Sequence, residues 1–392
     1  MQLSTVTVPF ATWRPGGGSV RTSIQIAAEV APWPDLVSYV VEAEALGLDM
    51  AFVAESWGCD SVTPIAYLAA RTERIRFGTG VLQVGTRSPA MIAMTALTLD
   101  TLTGGRFVLG LGSSGPGVIE GLHGAVFDRP LTRVRETLEV VRQAFAGERL
   151  ELHGQTVDVP RAGGEGRPMR INQHPRPDLP VYLAALLPGM LELTGATAQG
   201  WLGTSFVPEG ADAYFAPLRR GAQGAGRSLA DLDICQAAEI AFGDDVEQMV
   251  ATRKPGLAFS LGGMGTATTN FYNQAYARQG YDEVARDVQS LWQQGRRDEA
   301  ACLVPDEMVL ATSLIGTREM VADRLRAWAA TGVTNVRMYP AGDTLADKLA
   351  TLGQALDLVR ELFPGEQPAT NGRPVAPTAV PGAVWGAHRR GA

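Results

Sequence analysis

Short apolar runs, each followed by a stretch patterned as a helix, recur in series along this chain, and that alternation constrains the fold most. The runs cover residues 22–28, 50–54, 75–80, 107–111, 181–185, 201–206, 233–242 and 333–339. Between them lie helical patterns over 34–46, from Thr63, over 88–103, after Asp128, and over 189–199, 211–220, 317–331 and 345–363. Ser88-Pro89 opens one of them and Gly332 closes another, the residue types favoured at helix starts and ends. Strands that are apolar throughout, rather than in alternation, are buried on both faces, which means a parallel sheet covered by helices. Eight such units in series predict a closed (β/α)8 TIM barrel over a doubly wound sheet.

Three segments stand outside the repeat. Residues 1–20 read as an extension with a glycine joint at 16–18. Residues 150–159 alternate around Gly154 and predict a surface hairpin. Residues 255–307, between strands seven and eight, form an excursion with several helical pieces, expected to act as a lid. The barrel then spans 21–363, and the proline- and glycine-rich tail over 364–392 is expected to be disordered.

The net charge of −7 gives no electrostatic case for nucleic acid or an anionic membrane surface. No apolar run approaches the ~18 residues that span a bilayer. The N-terminus lacks the basic and apolar segments of a secretory signal, and Cys59, Cys235 and Cys302 are scattered, so a cytoplasmic protein without disulfides is expected. The four histidines show no metal-ligand spacing, so no metal is implied.

The stretch GRFVLGLGSSGPG, residues 105–117, joins the fourth strand to a loop of glycines and serines. Such a loop suits a phosphate or a flat ring, because the backbone can approach closely and offer N–H groups. Gly110, Gly112 and Gly115 also fit G-x-G-x-x-G, but a dinucleotide fingerprint opens a helix in the first βαβ unit. Here Pro116 and Gly117 follow, and the strand is the fourth.

Barrels of this kind place their chemistry at the C-terminal ends of the strands. Those ends here are Ala54-Glu55-Ser56-Trp57, Thr79-Gly80-Val81, Gly112-Ser113-Ser114, Ala184-Ala185-Leu186 and Gly203-Thr204-Ser205. They hold no Schiff-base lysine, carboxylate cluster or Ser-His-Asp set. Small residues there make room for a large flat ligand that carries the reaction itself. Each polar residue also has a plainer reading. Glu55 could be an ordinary salt-bridged carboxylate, Ser113 and Ser114 caps of the next helix, and Trp57 core packing. His123 could be a loop residue bonded to backbone. Arg87 either holds an anionic group or sits in solvent.

The segments LGLDMAFVAESWGCDSVTPIAYLAARTERIRFGTG, RSPAMIAMTALTLDTLTGGRFVLGLGSSGP and VIEGLHG resemble the luciferase-like monooxygenase superfamily. With GGMG and NFYN further on, they most resemble its branch that uses coenzyme F420, an 8-hydroxy-5-deazaflavin. The resemblance implies a deazaflavin or flavin at the strand C-termini and hydride transfer to or from a small organic molecule. By position it implies a non-prolyl cis peptide at Gly80-Val81 behind the ring. Cofactor contacts are implied at Ala54, Ser56, Gly80, Val81, Gly112, Ser113, Ser114, Ala184, Ala185 and Leu186. Glu55 matches an acidic position and is the candidate catalytic residue, with Trp57 and His123 as candidates for the substrate. Family members that oxidise sugar phosphates carry a histidine where this chain has Ser56. An FMN-dependent monooxygenase of the same superfamily, or a barrel that binds flavin without turnover, remain as alternatives, and a homodimer is compatible with each.

Overall fold

The computed structural model describes residues 20–27, 31–266 and 268–364. The expected extension over 1–20 and tail over 364–392 therefore fall almost wholly outside the described residues, as does the end of the first predicted strand.

Eight parallel strands close on themselves. They are β1 (Arg21–Ile26), β2 (Met50–Val53), β3 (Arg76–Thr79), β4 (Phe107–Gly112), β5 (Val181–Ala184), β6 (Gly200–Gly203), β7 (Asp233–Phe242) and β8 (Asn335–Pro340). Neighbours in sequence are neighbours in space, and β8 returns to β1 with Ser23 opposite Arg337 and Ile24 opposite Met338. Helices cover the outside, so the chain is the (β/α)8 barrel that its alternation predicts. Leu82–Gln83, just after β3, runs as a short extra strand beside β4, and Leu314–Gly316 runs beside β7. Two or three residues are too few to show a period, and sequence reading missed both. The hairpin expected over 150–159 is present, with Leu152–His153 antiparallel to Asp158–Val159.

Strand alternation sorts the core into two compartments. Side chains of one parity (Ile24, Ala51, Val53, Phe77, Leu109, Trp201, Ile234, Val336) face the helices. Those of the other parity (Met50, Phe52, Val108, Tyr182, Leu202, Cys235) fill the interior. At the N-terminal end the interior is polar and satisfied. Asp233 is paired with Arg21 at 2.6 Å and accepts from the Tyr182 hydroxyl at 2.7 Å, from Thr334 at 2.7 Å and from Asn335 at 3.1 Å. Asn335 in turn accepts from Ser23 at 2.7 Å. Burial, then the charge of Asp233, hold the Tyr182 phenol well above its ordinary pKa.

Glycines let the large interior rings fit. A Cβ at Gly78 would lie 2.5 Å from the Phe52 ring, and one at Gly200 2.6 Å from the Tyr182 ring. Gly110 has a different reason. The Thr79 hydroxyl both accepts from the Gly110 N–H (2.9 Å) and donates to its carbonyl (2.7 Å), and a Cβ there would meet the Thr79 carbonyl at 1.8 Å. The first glycine of the apparent G-x-G-x-x-G thus serves strand contact.

The excursion after β7 begins earlier than its composition suggests. Pro255 lies inside the helix Val246–Gly262, whose first turn is capped by Asp245 accepting from the Gln248 N–H at 3.0 Å. Helices Phe271–Tyr276, Asp282–Gln293, Arg297–Cys302 and Asp306–Thr312 follow. Val250, Leu261, Ala285, Val288, Met308 and Val309 give this segment a small apolar core of its own. Asn270 caps Phe271–Tyr276 and donates to the carbonyls of Ser260 and Leu261. No described helix is long and apolar enough to cross a membrane.

Candidate cofactor site at the barrel mouth

The Phe52 ring closes the interior below the C-terminal face. Above it, the next inward positions on β2 to β5 are Ala54, Gly80, Gly112 and Ala184, all small; a Cβ at Gly112 would meet the Val81 side chain at 2.8 Å, and one at Gly80 the Phe52 Cβ at 3.0 Å. The Gly80–Val81 peptide is cis, as the resemblance implies. The side chain of Val81 packs beside Ala184 at the top of the interior core.

Backbone conformation also marks this face. Among the described residues, four that are not glycine have positive φ: Ser56 (32°), Ser114 (58°), Ser205 (56°) and Arg129 (44°). The three serines follow β2, β4 and β6, all at the mouth. Such conformations are costly for residues with a Cβ and cluster where backbone must be aimed for function.

Neither Ser113 nor Ser114 caps a helix. A four-residue helix, Pro116–Ile119, does follow the loop, which sequence reading missed, but its N-cap is Gly115 and no side chain caps it. The Ser113 hydroxyl donates to the Ser114 carbonyl at 3.2 Å. Both serines are half-buried at the end of β4.

Glu55 is 8% exposed and fully engaged. Arg87 donates from both terminal nitrogens, one to each carboxylate oxygen, at 2.7 Å each. Arg87 is therefore neither an isolated cation in solvent nor a free anion holder; it is the partner of Glu55. Gln83 completes the group, its backbone N–H 3.5 Å from Glu55 and its side-chain amide donating to the Ser56 carbonyl at 2.8 Å. These contacts tie the end of β2 to the segment after the cis peptide.

The remaining candidates divide. Ala184 lines the mouth, whereas the Ala185 side chain belongs to the outer core and its carbonyl accepts from the Trp201 indole at 2.9 Å. Ala185 therefore borders the mouth through its backbone neighbours alone. Leu186 offers its carbonyl to Arg278 of the excursion at 2.6 Å. Trp57 is 63% exposed, and His123 is exposed on the loop after Pro116–Ile119.

Three groups escaped sequence reading. Gln279 of the excursion accepts from the Val207 N–H at 2.8 Å and donates to the Ser205 carbonyl at 2.7 Å, latching the excursion to the loop after β6. Gln83 sits in a strand too short to predict. Arg337 turns inward from β8 with its guanidinium 5.7 Å from the Phe52 ring centroid. Its only sequence signal is a cation at an inward position of an otherwise apolar strand.

The sequence model of the luciferase-like monooxygenase family matches residues 8–335. A Mycobacterium tuberculosis protein whose name places it among coenzyme F420-dependent oxidoreductases is 41% identical over 303 residues, covering 75% of this chain and 87% of the relative. A 5,10-methylenetetrahydromethanopterin reductase of Methanolobus tindarius is 27% identical over 306 residues, covering 77% of this chain and 88% of the relative. Among solved structures, the coenzyme F420-dependent tetrahydromethanopterin reductase of Methanopyrus kandleri superposes with a TM-score of 0.72 at 23% identity, covering 88% of this chain and 99% of that one. A closed barrel, a mouth of small residues beside a cis peptide, and these matches together place the chain in the luciferase-like monooxygenase family, in its coenzyme F420-dependent oxidoreductase branch.

Proposed function

We propose that this protein binds coenzyme F420 at the barrel mouth and moves a hydride between the deazaflavin and a small organic molecule. The observation that carries the reading is the row of small residues that ends β2 to β5. Ala54, Gly80, Gly112 and Ala184 present nothing larger than a methyl group, so a flat ring could approach the backbone there, and Ser113 and Ser114, which cap nothing, would offer polar contact at its edge. When bound, the coenzyme supplies the two-electron chemistry; the protein orients, excludes water and positions a proton. Val81 would back the ring, with Ser56 and the backbone of Ala185 and Leu186 at its border.

With both oxygens held by Arg87, Glu55 acts as a positioning residue for the mouth rather than as a mobile acid or base. The excursion from Val246 to Thr312, held by Arg278 and Gln279 to the loops after β5 and β6, is the lid. Trp57 and His123, both exposed beside the mouth, are the substrate-side candidates. Met91, Met94 and Leu102, exposed along one face of the helix Pro89–Leu102, support a homodimer.

Fluorescence titration of the purified full chain with F420, FMN and NADPH tests this reading. Binding of F420 at least about tenfold tighter than FMN, with no NADPH binding, is expected. FMN binding with oxygen consumption would favour the monooxygenase alternative, and binding of F420 without turnover of any carbonyl or alkene substrate the carrier alternative.

A further inference from the structure

Two arginines point into the barrel from strands that adjoin, and only one has an anion. Arg21 of β1 meets Asp233 at 2.6 Å. Arg337 of β8, 6% exposed, donates from Nη2 to the Gly203 carbonyl at 3.2 Å and lies over Phe52, while its Nε has no partner. No carboxylate among the described residues pairs with it. A guanidinium withdrawn from water without a counter-charge is costly, and a carbonyl and an aromatic face offset only part of that.

The residues in register on either side of Arg337 are Ser23 and Ala237, both small. The next inward residue of β8 toward the mouth is Tyr339, which is exposed. Tyr272 of the excursion, whose phenol is raised by burial, lies within reach of the Arg337 charge. Arg337 enters the interior between β7 and β1, and its guanidinium reaches across to the Phe52 ring of β2 and the Gly203 carbonyl of β6.

We propose that Arg337 is a substrate-anchoring residue, which binds the carboxylate of an anionic small molecule whose reacting carbon lies over the cofactor. This deepens the oxidoreductase reading and rests on it. The planar guanidinium, with Nε unpartnered, matches a two-oxygen acceptor better than a single carbonyl.

The test is calorimetric titration of the full chain, with and without F420, using crotonate, its uncharged isostere crotonamide, and inorganic phosphate. Charge-assisted hydrogen bonds at a buried site predict crotonate binding at least about tenfold tighter than crotonamide. Arg337→Gln should erase that preference, Arg337→Lys should keep part of it, and F420 affinity should stay the same in both. Equal binding of crotonate and crotonamide by the wild type overturns the proposal without any variant. So does a preference retained in Arg337→Gln, a loss of F420 affinity in that variant, or an Arg337-dependent preference for phosphate. If the wild type fails to bind F420, the oxidoreductase reading falls, whereas the crotonate preference in the coenzyme-free protein still measures the anion site.

Discussion

Replacing Glu55 by glutamine removes one charge from a bidentate pair and leaves its geometry nearly intact. Glu55 is buried, but the Arg87 side chain is 23% exposed, so water can rehydrate the guanidinium in part. A fully buried pair broken from one side costs about 3–5 kcal/mol, and an exposed pair about 0–1. The half-open geometry here places the loss near 2 kcal/mol, in the range of hydrogen bonds to charged groups, about 1.5–3. Unfolding entropy of about 2.1 cal/mol/K per residue converts 2 kcal/mol into a Tm decrease of roughly 2–3 °C for a chain this long.

The assay is a double-mutant cycle of Glu55→Gln and Arg87→Gln followed by calorimetry and by turnover. Each single variant should lose about 2 kcal/mol, and the double should lose less than the sum by about 1–2 kcal/mol. If the pair positions the mouth, kcat falls in both singles and F420 affinity changes with it. Additive losses, with no coupling beyond about 0.5 kcal/mol, would mean that the pair does not form in solution. Lost stability with unchanged kinetics would leave Glu55 a structural residue alone.

Cys235 should be silent toward thiol reagents in the folded protein, because burial pushes its thiol up to about 12, while exposed Cys302 reacts at once; a kinetic count with Ellman's reagent before and after denaturant reads this directly. Burial alone would raise Glu136, but bonds from the Thr156 hydroxyl and from the N–H groups of Gln155, Thr156 and Val157 hold it at about 2. The stabilisation is complete above the ordinary carboxylate pKa and is lost as pH falls from about 4.5 toward 2, a slope that Glu136→Gln should flatten in acid titrations monitored by circular dichroism. Gly110→Ala should destabilise by about 3 kcal/mol or more, since neither the Thr79 carbonyl nor the strand can withdraw, and a Tm within a degree of wild type would contradict the close approach of β3 and β4. Gln279→Ala should speed hydrogen exchange across Phe271–Gln293 while leaving β2 to β4 protected; unchanged exchange would mean that the latch holds nothing.

The barrel was legible because its strands are buried on both faces and its helices end at glycine, serine or proline, signals confined to adjacent residues. The mouth was legible in outline for the same reason, since Ala54, Gly80, Gly112 and Ala184 stand at predictable strand ends. What escaped depends on partners far away in sequence. The pairing of Glu55 with Arg87 requires the bend after β3, and the role of Gln279 requires an excursion packed on the loops of β5 and β6. Arg337 looks ordinary until the register puts Ser23 and Ala237 beside it. That the Ala185 side chain turns to the outer core was not legible, because adjacent strand residues face opposite ways and a boundary uncertain by one residue changes which compartment a side chain enters. The excursion was begun too late at Pro255, since proline there sits within a helix that its neighbours sustain.

The seam between β1 and β8 sets an order of events during synthesis. Ser23 and Asn335 are 312 residues apart, and their bond lies in the polar group that also fastens β5 and β7. Until Asn335 has left the ribosome, β1 and β7 each present an open edge and Asp233 lacks part of its complement of donors. Closure is therefore a late, long-range event, slow by comparison with the local βα units that precede it. For most of its time on the ribosome the nascent chain is an open sheet, and the edges it exposes are those on which a chaperone or another copy of the chain would act.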